Sequence, residues 1–175
     1  MRVKKRIIAN QSGIRMRRLA EPQDLAAVHA IYMHADVIPY LGYDPMPMEE
    51  FAAMFAGLLA CGSFYVYTVD GVIAGFYKVS RFAGRAAHVA QLGTLAVAPS
   101  FQGQGVAQAM LAEAMSAMKN EGVRRLELIV ESDNLRGLAF YQGLGFETEG
   151  RLRQFYKRSD DADYIDDFIM AKFLY

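Results

Sequence analysis

From Ala86 to Ala112 the chain carries no Asp, Glu, Lys or Arg. Within that span a strand-like run, Leu92 to Val97, passes through a turn bearing Gly103 and Gly105 into a helix-like run, Gln104 to Lys119. No other segment constrains the fold as much, because a strand that turns straight into an apolar-striped helix requires a sheet with helices packed on it. Val106, Met110, Ala114 and Met118 form that stripe, with Leu111 and Met115 beside it, on a helix about 24 Å long. The turn also suits an anion. At a helix start several backbone N–H groups lack intrahelical partners, and the macrodipole adds about half a positive charge. Gly103 and Gly105 remove two side chains where a phosphate must approach the backbone, and Gln102 and Gln104 offer neutral donors. A glycine pair here also serves simply to let the chain reverse, so the residues alone leave both readings open. The turn lacks the Gly-Lys-Ser/Thr ending of a nucleotide-binding P-loop and the third glycine of a dinucleotide fingerprint.

The rest of the chain supplies one domain's worth of elements. With 175 residues, 53% of them hydrophobic, there is material for one sizeable core. Ile14 to Leu19 reads as a first strand, with Ile14 and Met16 alternating against Arg15 and Arg17. Two helices follow. One starts near Pro22 with Leu25, Val28, Ile31 and Tyr32 on its stripe, and one starts near Pro47 with Phe51, Met54, Phe55, Leu58 and Leu59. Phe64 to Val69 and Val72 to Ser80 flank Asp70-Gly71, a strong hairpin signal, and Ala87 to Val97 is a third long strand. Beyond the Gln104 helix come a strand at Leu126 to Val130, a short helix at Leu135 to Leu144, and strands at Phe146 to Gln154 and Asp163 to Phe173. This order implies a mixed sheet with helices on its faces. Residues 1–13 read as an N-terminal extension to a domain covering the chain, and the apolar run after the basic residues of Met1 to Ile8 is too short for a leader.

Charge and rare residues exclude several classes. Nineteen basic residues balance nineteen acidic ones, so no bulk basic field exists to hold nucleic acid or an anionic membrane. One cysteine and three histidines argue against a disulfide framework and against a metal enzyme, and point to a reducing, cytoplasmic setting.

Gln102-Gly103-Gln104-Gly105-Val106-Ala107 resembles the Gln/Arg-x-x-Gly-x-Gly/Ala signature of the GNAT superfamily of acyl-CoA-dependent N-acetyltransferases, and follows a strand as it does there. Asn134 and Ala139-Phe140-Tyr141-Gln142-Gly143-Leu144-Gly145-Phe146 resemble the family's Asn, Tyr and Gly-Phe segment, and Asp163-Tyr164-Ile165-Asp166 with Met170 is similar to its ending. The resemblance implies an α+β fold: a mixed, mostly antiparallel sheet of six to seven strands with splayed central strands and about four helices on its faces. It implies acetyl-CoA as co-substrate, with no metal. The backbone of Gln102, Gly103, Gln104, Gly105, Val106 and Ala107 would then hold the pyrophosphate, and that of Leu95, Ala96 and Val97 would pair with the pantetheine arm, which Asn134 also contacts. Tyr141 would lie near the thioester sulfur as the proton donor, its unperturbed pKa near 10 keeping it protonated.

For the base, many relatives place a glutamate where this chain has Gln91, leaving His88, Glu127 or a water chain; His88 has the better unperturbed pKa. The acceptor is read as a small-molecule or peptide amine; Tyr40 to Tyr43 either roof it or cap the core, and Tyr164 and Asp166 are further candidates against a bland exposed acidic run. Cys61 is expected to be a buried hydrophobe, which favours direct transfer. A homodimer is an analogy with such folds. The alternative function is a non-catalytic acyl-CoA binding or sensing module.

Overall fold

The computed structural model describes residues 13–175, so the N-terminal extension, but for Gly13, lies outside the described residues. Seven strands form one sheet: β1 (Arg15–Leu19), β2 (Phe64–Val69), β3 (Val72–Arg81), β4 (Val89–Val97), β5 (Arg125–Glu131), β6 (Glu147–Tyr156) and β7 (Ile165–Phe173), in the order β1-β2-β3-β4-β5-β7-β6. Every neighbouring pair is antiparallel except β4 with β5. Four helices connect them: α1 (Leu25–Tyr32), α2 (Met48–Ala60), α3 (Val106–Asn120) and α4 (Leu135–Gly143). The mixed, mostly antiparallel sheet and the helix count match the expected fold class.

Apolar alternation in the strands builds a core on each face. On one face Val28 and Tyr32 of α1 and Phe51 and Phe55 of α2 pack on Phe64, Val66 and Phe76. On the other, Met110, Leu111 and Ala114 of α3 cover Tyr67, Tyr77, Leu92, Leu126 and Leu128. Each such buried side chain contributes about 1.5–3 kcal/mol relative to exposure. The β2–β3 hairpin turns where its sequence says it should, with Asp70 and Gly71 at φ 50° and 80°.

Several boundaries and one face differ from the sequence reading. β4 begins at Val89, because Gly84–Ala86 forms a 3₁₀ turn before it, α3 begins at Val106, and β7 begins at Ile165. In β1 the apolar residues face outward: Ile14 and Met16 are exposed. The half-buried positions are Arg17 and Arg18, on opposite faces of the strand, each with a specific partner. Arg18 grips the buried Asp24 through Nη1 and Nη2 at 2.6 and 2.7 Å, and the Arg17 guanidinium lies 4.3 Å from the Tyr65 ring centre.

Candidate active site

β4 and β5 pair only from Val89 with Arg125 to Leu92 with Leu128; beyond that they diverge. The cause lies on the β3 side of β4, where the register slips between Phe76 and Lys78 and Thr94 sits at φ 47°. This is a β-bulge, and it bends β4 away from β5. A β-branched residue in left-handed backbone costs about 1–3 kcal/mol, which persists only because the surrounding ladder enforces it. Gly75 is part of the same device: a Cβ there would lie 2.6 Å from the Ala96 carbonyl oxygen.

The divergence opens a cleft of about 770 Å³ lined by Leu92 to Val97, Leu128 to Glu131, Asn134, Tyr141 and the start of α3, with Pro39, Tyr40 and Leu41 on its rim. Ala98 N–H donates to Ala74 O at 2.8 Å, so by strand alternation Ala96 faces β3 while Leu95 and Val97 turn their polar backbone toward the open side. Val97 O is taken by Gln102 Nε2 at 3.0 Å. The backbone of Leu95 and the Val97 N–H are thereby left to pair with an extended ligand.

At the cleft's other end Gly103 and Gly105 both have φ 73°, a conformation that alternates the direction of successive N–H groups into an anion-holding nest. No side chain caps α3, and nothing stands within 4 Å of where a Gly103 Cβ would point. The main chain of Gln102 to Ala107 therefore fits a diphosphate. The glutamine side chains differ from expectation: Gln102 Nε2 is bound to Val97 O, and Gln104 Nε2 donates to Ser100 O at 2.7 Å. They brace the turn, and the charge comes from Arg136, whose Nη1 donates to Gln102 Oε1 at 2.8 Å. Arg136, which sequence reading passed over, lines the cleft. Asn134 caps α4, its Oδ1 accepting from Gly137 N–H at 2.8 Å, and its amide side favours the ionised Glu131.

Tyr141 lies on α4 against Phe140 and Phe146, with ring centres at 5.2 and 5.7 Å. Burial, followed by the Glu131 charge, pushes its phenol well above the usual range, and no hydrogen bond among the described residues draws it back. Its hydroxyl is protonated at neutral pH. Glu131 ends β5 on the face opposite Leu126, Leu128 and Val130, is buried, and lines the same cleft. Burial raises its pKa to about 7, and the Asp167 charge adds to this against Arg158 and Asn134. A carboxylate poised there is a base fitted to neutral pH. Sequence reading missed it, and the one available signal was an acid ending an otherwise apolar strand, Leu128-Ile129-Val130-Glu131.

The base candidates from sequence lie elsewhere. His88 is exposed ahead of β4, about 13 Å along the chain from Leu92, at the end of the strand away from the cleft. Gln91 pairs with Ser80 and Glu127 inside the closed part of the sheet. Glu127 is engaged by Arg125 at 3.2 Å. Of the segment Tyr40 to Tyr43, Tyr40 and Leu41 line the cleft beside Pro39 while Gly42 and Tyr43 do not, and Arg158 anchors this wall by donating to Pro39 O at 2.9 Å and Asp133 Oδ2 at 2.8 Å. Asp166 accepts from Arg151 and from Gln154 N–H, and Tyr164 is exposed beneath Lys157; neither lines the cleft. Cys61, expected buried, is exposed at the C-terminal end of α2. Among the described residues no three His, Cys, Asp or Glu side chains gather as a metal site, and no helix is long and apolar enough to cross a membrane.

The Acetyltransferase (GNAT) family model matches residues 23–146. The chain is 32% identical over 145 residues to mycothiol acetyltransferase of Saccharomonospora viridis, covering 78% of this chain and 46% of that one, so it spans about half the length of that relative. It is 29% identical over 165 residues to the L-amino acid N-acetyltransferase AaaT of Escherichia coli K12, covering 89% of this chain and 95% of the relative. The structure of yncA from Salmonella typhimurium, solved with its cofactor acetyl-CoA, shares the fold at a TM-score of 0.71 and 19% identity over 92% of this chain and 94% of that one. A family match across most of the chain, joined to the splayed sheet and the glycine turn at its opening, shows that this chain belongs to the GNAT acetyltransferase family.

Proposed function

We propose that this chain, as one domain, transfers an acetyl group from acetyl-CoA to the primary amine of a small-molecule or peptide acceptor, by direct attack with both substrates bound. The observation that carries this reading is the convergence of an anion-holding turn, an open strand edge, a protonated Tyr141 and a basic Glu131 on one cleft. Acetyl-CoA supplies an activated acyl group. The protein's part is to bind the diphosphate with the backbone of Gln102 to Ala107 aided by Arg136, and to hold the pantetheine arm along Leu95 and Val97.

Glu131 takes the proton of the incoming ammonium, freeing the nitrogen lone pair. As the C–N bond forms, the Leu95 N–H is placed to stabilise charge on the carbonyl oxygen. As the C–S bond breaks, Tyr141 donates its proton to sulfur, the second proton lost from nitrogen returns to the Tyr141 phenolate, and Glu131 releases its proton to solvent. The proposed base is thus Glu131 in place of His88. The exposed position of Cys61 outside the cleft fits direct transfer over an acyl-cysteine route.

The test is to incubate the protein with acetyl-CoA and pooled primary amines across pH 5.5–8.5 and read products by mass. We expect one or more acetylated amines, with kcat/KM rising through about pH 7 as Glu131 ionises. Tight acetyl-CoA binding without amine-dependent CoA release would instead indicate the sensing module.

A further inference from the structure

Glu131 does not stand alone in the fold. In the β5–β7 ladder its partner is Asp167, and residues directly opposite in an antiparallel pair share a face with Cβ atoms about 4.5–5.5 Å apart. Both carboxylates are buried, Asp167 at 4% exposure. Asp167 Oδ1 has no hydrogen-bond partner. A buried carboxylate oxygen without a donor is costly, and the nearest cation does not relieve it. Arg158 is committed to Asp133 at 2.8 Å, Asp161 at 3.3 Å and the Pro39 carbonyl at 2.9 Å. The other charged or titratable groups around the pair are Asp133, Asp166, Tyr141 and Tyr156, with Asp44 beyond Tyr156. None of these is placed as a donor to Asp167.

We propose that Asp167 is a positioning residue for the reaction, forming with Glu131 a carboxylate pair in which its open oxygen accepts a hydrogen bond from the proton that Glu131 has taken from the acceptor's ammonium. This rests on the acetyl-transfer reading of the cleft. In the step an N–H bond of the ammonium breaks, an O–H bond forms on Glu131, and the pair passes from two negative charges to one. The proton is then shared across the ladder until it leaves to solvent. Two like charges this close resist ionising together, so Asp167 raises the proton affinity of Glu131 and keeps it useful at neutral pH. Asp167 is itself pushed upward, by burial first and then by the charges of Asp133 and Asp166 against Arg158.

The experiment follows the Glu131 carboxyl directly, by carbon-13 NMR of the full chain labelled at glutamate, with the resonance assigned from Glu131→Gln. The wild-type midpoint is expected near 7. In Asp167→Asn it should fall by about one pH unit, and the acidic limb of kcat should move with it while KM for acetyl-CoA stays put. A merely structural Asp167 would alter the melting temperature and leave the midpoint in place, and that result would overturn the proposal. Asp167→Ser gives the same readout where the Asn variant misfolds. A midpoint that falls in a protein releasing no CoA with any amine would overturn the acetyl-transfer reading, and with it the proton's source, and would leave the coupled pair standing.

Discussion

Tyr141 and Glu131, the proposed acid and base, line one cleft. Burial works on both in the same direction, toward the neutral form. For a phenol that keeps a proton donor; for a carboxylate it yields a group that binds a proton near neutrality and returns it. Replacing Tyr141 by Phe removes the donor and little of the packing against Phe140 and Phe146. We expect kcat to fall on the order of 10²-fold or more, with acetyl-CoA affinity from calorimetry unchanged; undiminished turnover would exclude Tyr141 as the donor. Tyr141 was legible in the chain because its helix carries a recognisable local pattern. Glu131 was not, because its raised pKa comes first from burial and then from the Asp167 charge, both of which reach it only through folding. His88 suits a base by residue type, but it lies just ahead of β4, at the end of the strand away from the cleft.

Among the elements, the join between β4 and α3 sets where the coenzyme would lie. Its glycines adopt the left-handed backbone that only glycine takes freely, and its glutamines serve as braces between turn and strand. Gly105→Glu should therefore weaken acetyl-CoA binding by more than tenfold, through strain at φ 73° and through a carboxylate facing the diphosphate, an effect above about 1.4 kcal/mol. Wild-type affinity by calorimetry would contradict the assignment of the turn. The glycine turn was visible in the residues because local backbone geometry follows local residue type. The bulge at Thr94 was not, since a threonine between Gly93 and Leu95 reads as ordinary strand until the register against β3 is known. The outward Ile14 and Met16 failed for the same reason, as burial on an edge strand depends on what lies across it.

At the scale of the whole molecule β4 and β5 are paired at one end and open at the other, with a core on each face of the sheet. A ligand bridging the opening binds the folded state and not the unfolded one. Acetyl-CoA at about 100 times its dissociation constant should stabilise the protein by about 2.7 kcal/mol, a rise of roughly 7 °C in melting temperature for a chain of this size. No rise in a thermal scan would mean that the cleft does not take acetyl-CoA. By itself the sequence determined the element order, the hairpin at Asp70-Gly71, the glycine turn and the apolar stripes of the helices, because propensity, turn chemistry and periodicity act over a few neighbouring residues. Only the tertiary structure decided where β4 leaves β5, which arginine faces the phosphate turn, and that Glu131 meets Asp167. Those outcomes depend on strand register and desolvation, which are set by residues far apart in the chain and do not exist until the sheet has formed.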